Sequence, residues 1–147
     1  MSLKAQLNED MKTALRAKET ARLGALRLLL SAIRQKEIDE RIELDDAGFV
    51  AVVEKLIKQR KDSVTQYQAA ARQDLADKEQ AEIDVLAGYM PQPFSETELD
   101  ALIQQALAET GAASAKDMGK VMAWLKPRVA GRADMAAVSG RIKSALA

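Results

Sequence analysis

Seven basic side chains fall between position 116 and the end of the chain: Lys116, Lys120, Lys126, Arg128, Arg132, Arg141 and Lys143. Only Asp117 and Asp134 oppose them, so this segment carries a net +5 within a 147-residue chain whose 22 bases and 22 acids cancel. The stretch before it, 91–115, has no base and four acids, Glu96, Glu98, Asp100 and Glu109. Gly119 and Gly131 punctuate the basic segment, and glycine lets backbone come close to a ligand. Cations beside exposed backbone N–H groups suit phosphate. The spacing also has a plainer use. Lys126 and Arg128 fall at the end of an expected helix, where positive charge is stabilised by the helix dipole.

Other chemistries are excluded or weakly supported. The chain contains no histidine and no cysteine. A His–Cys zinc site, a disulfide framework and a Ser–His–Asp or Cys–His triad are therefore impossible. The missing cysteine fits a reducing compartment. Gly119-Lys120 fails as a phosphate loop, because Val121 follows, the glycine spacing is wrong and no strand precedes. Glu37, Glu40 and Glu43 can share a helix face, but the helical di-iron pattern pairs Glu with His. They read as the solvated end of a helix, as do Glu79, Glu82 and Asp84. Arg27 and Arg60 sit on apolar stripes. Each is either an edge residue with a snorkelling or ion-paired head, or the anchor of a groove. Met118, Met122 and Met135 read as core filler. No catalytic residue, metal ligand or cofactor site emerges.

The elements that position these residues are helical. Apolar residues make up 48% of the chain but aromatics only 3%, so Leu, Ile, Val, Met and Ala must build the core, a mixture that favours helices. Ser2 can cap a first helix with Leu3, Leu7, Met11 and Leu15 on one face. A second begins near Thr20 and carries Leu23, Leu26, Leu29, Leu30 and Ile33. Asp45 or Asp46 caps a long third helix with Phe49, Val53, Leu56, Ile57, Arg60, Val64 and Tyr67. Asp74 is the expected cap of a fourth, with Ala76, Ile83, Leu86 and Tyr89 inside. Pro91 and Pro93 then break the pattern. Ser95 and Glu98 form a capping box for a helix that stops at Gly111. Ser114 and Asp117 offer a second box, opening a helix with Val121 and Leu125 that is expected to end near Pro127. Gly131 marks a turn, and Asp134 caps a last helix with Val138, Ile142 and Leu146. The expected architecture is all-α: a four-helix domain over 1–90, a proline-containing linker over 91–94, and a small three-helix bundle over 95–147.

The stretch Lys116-Asp117-Met118-Gly119-Lys120-Val121-Met122, followed by Leu125-Lys126-Pro127-Arg128 and Gly131-Arg132-Ala133-Asp134, resembles the C-terminal signature of the GatB/YqeY domain family. Leu26-Arg27, Lys58-Gln59-Arg60-Lys61-Asp62-Ser63, Tyr67 and Tyr89-Met90-Pro91 extend the resemblance over essentially the whole chain. The chain looks like the stand-alone YqeY-like members, without the catalytic cradle of the tRNA-dependent amidotransferase B subunit whose tail this domain resembles. Ala123 and Met135 stand where family members often have glycine, so the turn after Asp134 is expected to differ.

The resemblance implies a two-part helical fold and a link to tRNA, because the amidotransferase tail contacts the outside of the tRNA elbow. A similar domain is appended to some glutaminyl-tRNA synthetases. The expected function is a non-catalytic RNA-binding module, with tRNA as ligand and Lys116, Gly119, Lys120, Lys126, Arg128, Gly131 and Arg132 as the contact set. One alternative is a protein-interaction module that docks on an aminoacyl-tRNA synthetase or an amidotransferase. Another is an accessory to a carbon–nitrogen ligase that uses glutamine as amide donor. No metal, cofactor or membrane is expected as partner. The longest apolar runs are far below the ~20 residues a bilayer needs. Asn8, Glu9, Asp10 and Lys12 replace the apolar run of a secretory signal. On that basis the expected location is the cytoplasm.

Overall fold

A computed structural model describes the whole chain, residues 1–147, and it is all-α with no strand. The helices are α1 (Leu3–Arg16), α2 (Thr20–Glu40), α3 (Asp46–Ala69), α4 (Gln73–Ala87), α5 (Glu96–Thr110), α6 (Met118–Val129) and α7 (Met135–Leu146). A single 3₁₀ turn, Ala115–Asp117, precedes α6. The chain divides into two compact units, Met1–Met90 and Pro91–Ala147.

In the first unit the helix starts follow from their caps. The Ser2 hydroxyl accepts from Ala5 N at 3.1 Å, and the Asp45 carboxylate accepts from Gly48 N at 2.8 Å. The core gathers Leu7, Leu26, Leu29, Ile33, Phe49, Val53 and Leu86, all essentially without solvent exposure. Tyr89 closes it from just beyond α4. Its ring lies 5.7 Å from that of Phe49, and its hydroxyl donates to Asp10 at 2.5 Å. Burial first, then this hydrogen bond, pushes the Tyr89 phenol far above its ordinary range, so it remains a donor.

Two expectations need correction here. Leu15 is 59% exposed, and Ala14 takes the buried place. A strict four-residue stripe advances about 40° per step around a helix, so by Leu15 it has left the face that Leu7 set, whereas a seven-residue step returns to it. Asp74 is not the cap of α4, which opens two residues earlier than expected, with Arg72 at the N-cap. Asp74 sits in the first turn, where a carboxylate favours the positive end of the helix, and is held there by Arg72 at 3.0–3.1 Å.

In the second unit Leu99, Ile103, Ala106, Val121, Leu125, Val129, Val138 and Ile142 form one buried cluster. The Ser95–Glu98 box is complete in both directions, and Gly111 ends α5 at φ +66°. α6 ends at Val129, two residues past Pro127, so the proline lies inside its last turn. Proline deprives the Ala123 carbonyl of its helical donor, yet both residues are exposed, so water can replace the lost bond. Met135 opens α7 with ordinary helical geometry; the positive φ of this region falls on Gly131, at +73°. The expected disturbance after Asp134 is therefore absent.

Candidate nucleic-acid interface

The 3₁₀ turn fixes the start of α6. The Asp117 carboxylate accepts from Ala113 N at 2.9 Å and Ser114 N at 3.4 Å. These two donors, Ala113 first, hold it below the usual carboxylate range. Along α6, Val121, Leu125 and Val129 are fully buried at four-residue spacing. That face fixes the opposite one. At 100° per residue, Gly119, Lys120, Ala123 and Pro127 point away from the core, and all four are exposed. A Cβ added at Gly119 meets nothing within 4 Å, so the backbone there is open to a large ligand. Lys116 lies exposed in the turn before the helix.

Of the expected contact residues, Lys116, Gly119 and Lys120 thus cluster around the start of α6, and Lys126 and Arg128 flank its far end. Lys126 and Lys116 take part in no ion pair. Lys120 approaches Asp117 only at 4.0 Å, with its side chain 71% exposed. Arg128 is exposed but organised: its guanidinium stacks 3.8 Å from the Trp124 ring centroid and donates to the Trp124 carbonyl. The Trp124 indole in turn donates to Glu109 at 2.9 Å.

Arg132 is placed differently. Its guanidinium lies 3.7 Å over the Phe94 ring, its Nε donates to the Gln92 carbonyl at 2.9 Å, and its own carbonyl accepts from Phe94 N at 2.9 Å. Gly131 provides the left-handed turn that lets Arg132 reach back. This pair therefore ties the 92–94 segment to the α6–α7 connection. Arg141 is held by Asp100 and Glu96 and is not a free cation.

Outside this face, Arg60 proves to be the ion-paired edge residue: it donates to Glu82 at 3.0 Å, both side chains less than a fifth exposed. Glu37 is not merely solvated. It accepts from Lys4 and from Leu44 N, both at 2.8 Å, and joins α1 to the end of α2. The signal that identifies it in the sequence is weak, because Lys4 lies 33 residues away.

The family model described as Yqey-like protein matches residues 4–146. The chain belongs to this YqeY-like family. Among its relatives are fungal proteins named altered inheritance of mitochondria protein 41, mitochondrial. The one from Lachancea thermotolerans is 39% identical over 108 residues, covering 71% of this chain and 58% of the relative. That from Pyrenophora tritici-repentis is 34% identical over 128 residues, covering 84% and 71%. That from Saccharomyces cerevisiae strain YJM789 is 41% identical over 95 residues, covering 64% and 51%. The match thus spans little more than half of the Lachancea and Saccharomyces proteins.

These names overturn the cytoplasmic expectation, since the YqeY-like relatives are called mitochondrial. The reason is physical. An absent apolar N-terminal run speaks to secretory signals only; mitochondrial import reads amphipathic, Arg-rich, acid-poor segments, which need no such run. No helix of this chain is long and apolar enough to cross a membrane.

Proposed function

We propose that the outer face of α6, with the turn before it, binds RNA through its phosphates, and that tRNA is the ligand. In this reading the chain is a positioning module for a synthetase or amidotransferase and performs no chemical step itself. The observation that carries it is the set Lys116, Lys120 and Lys126, exposed and essentially unmatched by acids, around open backbone at Gly119. Lysines there act as point charges on phosphates, and Gly119 lets the sugar–phosphate chain approach the helix closely. Arg128 on Trp124 adds a flat cationic surface at the far end. Arg132 serves as a positioning residue, holding the turn through Phe94 and Gln92. With aromatics at 3% of the chain, recognition rests on charge and shape rather than on base stacking. The reading includes separate folding of the domains 1–90 and 95–147, with 91–94 as the join.

The test is a titration of the full chain against bulk tRNA at about 50 and about 200 mM salt. The comparison is the triple variant Lys116→Glu, Lys120→Glu and Lys126→Glu, whose side chains hold nothing in the fold beyond the long Lys120–Asp117 approach. Wild type should bind, with affinity falling by roughly 0.7–0.9 log units per contact for each log unit of salt. The variant should lose most of both the affinity and the salt slope. Absence of binding at low salt sinks the proposal.

A further inference from the structure

A second basic surface lies in the first unit, and its chemistry is not that of α6. Between Met11 and Lys36 the chain carries seven bases and a single acid, Glu19, a net +6. α1 and α2 pack side by side here and leave a groove of about 430 Å³. Its floor is apolar: Met11 and Leu15 from α1, Leu23 and Leu30 from α2. Its titratable lining is entirely cationic, Lys12 on one wall and Arg27 and Arg34 on the other. Neither arginine joins any of the ion pairs of this unit. The other grooves differ. That between α2 and α3 mixes Lys36 and Lys55 with Asp39 and Glu40, and that between α5 and α7 holds Arg141 already paired with Asp100.

We infer that this groove docks an acidic amphipathic helix of a partner protein. Leu23 to Arg34 spans about 16 Å of α2, roughly three turns of a helix laid alongside. Two adjacent helices form a trough into which the side-chain ridge of a third can pack. Apolar side chains at i, i+4 and i+7 of the partner cover Leu15, which is 59% exposed, together with Met11 and Leu30. Glu or Asp on its flanks meets Lys12 on one side and Arg27 and Arg34 on the other. Charge complementarity selects the acidic partner: the titratable residues lining the groove are all cationic, and although Glu9 pairs with Lys12 at 3.2 Å and Glu37 lies a turn from Arg34, neither arginine is held in an ion pair. RNA suits the site less well. A phosphate chain leaves the leucine floor uncovered.

The experiment titrates isotope-labelled full chain with synthetic helical peptides of about 18 residues, followed by amide shifts. One peptide carries Leu at i, i+4, i+7 and i+11 with Glu flanks; its control has Lys flanks. The acidic peptide should shift the amides of Leu15, Leu23, Arg27 and Leu30, and the Lys-flanked one should not. Arg27→Glu with Arg34→Glu should weaken the acidic peptide about tenfold and admit the Lys-flanked one. Both arginines are exposed and unpaired, so circular dichroism should report an unchanged fold. Leu15→Asp should weaken the acidic peptide with the arginines intact. Equal binding of both peptides, no shift by the acidic one, or indifference to the double variant overturns the inference. So does a tenfold loss of tRNA binding in Arg27→Glu/Arg34→Glu, which assigns the face to RNA. The α6 titration is read on different residues, so either reading can fail alone.

Discussion

The molecule carries two basic surfaces of unlike construction. On α6 Lys120 stands on the outer face between the small residues Gly119 and Ala123, with Lys116 in the turn before it and Lys126 and Arg128 flanking its far end, so charge and backbone are presented together. Between α1 and α2 the cations line a trough whose floor is leucine and methionine. Net charge cannot tell these apart, because the segments that carry them, 116–147 and 11–36, are +5 and +6 and give similar long-range attraction. What lies between the charges decides the ligand. Exposed backbone and short side chains suit a phosphate chain, and exposed leucine suits another protein. A count of lysines and arginines is therefore a poor guide to partner class until their neighbours are known.

The largest effect that can break this comparison is on the cores beneath the two faces. Leu125 is fully buried behind α6, and Leu26 is fully buried behind α2. Leu125→Ala should cost the second unit about 2–5 kcal/mol, a large share of what a unit of this size holds. Hydrogen exchange should then show lost protection across α5–α7 and retained protection across α1–α4, with tRNA binding lost and peptide binding kept. Leu26→Ala should give the mirror image. Loss of protection in both units from either variant breaks the idea of two independent surfaces.

A smaller effect separates the two stacked arginines of the second unit. Arg132 combines the Phe94 stack with a hydrogen bond to Gln92, so Arg132→Ala should lower the stability of this unit by about 1–3 kcal/mol. Arg128 stacks on the half-buried Trp124 at an exposed site, and Arg128→Ala should cost about 1 kcal/mol or less. Their order in tRNA affinity should be reversed, Arg128→Ala losing more. Thermal unfolding and the salt titration measure the two orders. Arg132→Ala with unchanged stability and a large loss of affinity returns Arg132 to the contact set.

The helices were legible in the sequence where their ends use standard chemistry. Ser2, Ser95 and Asp134 cap as their types suggest, and Gly111 stops α5. The turns of the first unit were not legible, for a physical reason: Lys18, Arg41 and Ala71 take the left-handed conformation that glycine would advertise. The basic segment at 116–143 was legible as charge, but the role of Arg132 was not, because its partners lie 38 and 40 residues earlier. The α1–α2 groove was within reach of the same local charge count that exposed α6. Its seven bases are diluted among leucines, which read as core rather than as the floor of a trough. Arg27 alone stood out, and one arginine on an apolar stripe does not distinguish an edge residue from the wall of a groove.

The smallest effect concerns acid. In the first unit Glu37 is held below its ordinary range mainly by Lys4 and then by Leu44 N; in the second, Asp117 is held down by Ala113 N and Ser114 N, with Lys120 the last contributor. A carboxylate depressed in the folded state adds stability above its unfolded pKa, and that stability disappears as pH falls through the folded one. Both units should therefore weaken from about pH 5 downward. Lys4 is raised by the same pair, so its share is complete below its unfolded pKa and is lost only as pH rises through the folded value, in strong alkali. The units differ in what holds the carboxylate. Lys4→Met should let Glu37 move up toward its ordinary range, retaining only the pull of Leu44 N and the nearby Arg34 charge. Lys120→Met should leave Asp117 almost where it was, because the backbone donors remain. Carboxyl titrations of Glu37 and Asp117 by NMR in the two variants measure the contrast. A large upward move of Asp117 in Lys120→Met indicates that Lys120 is engaged with Asp117 in solution, which removes it from the free cations of α6.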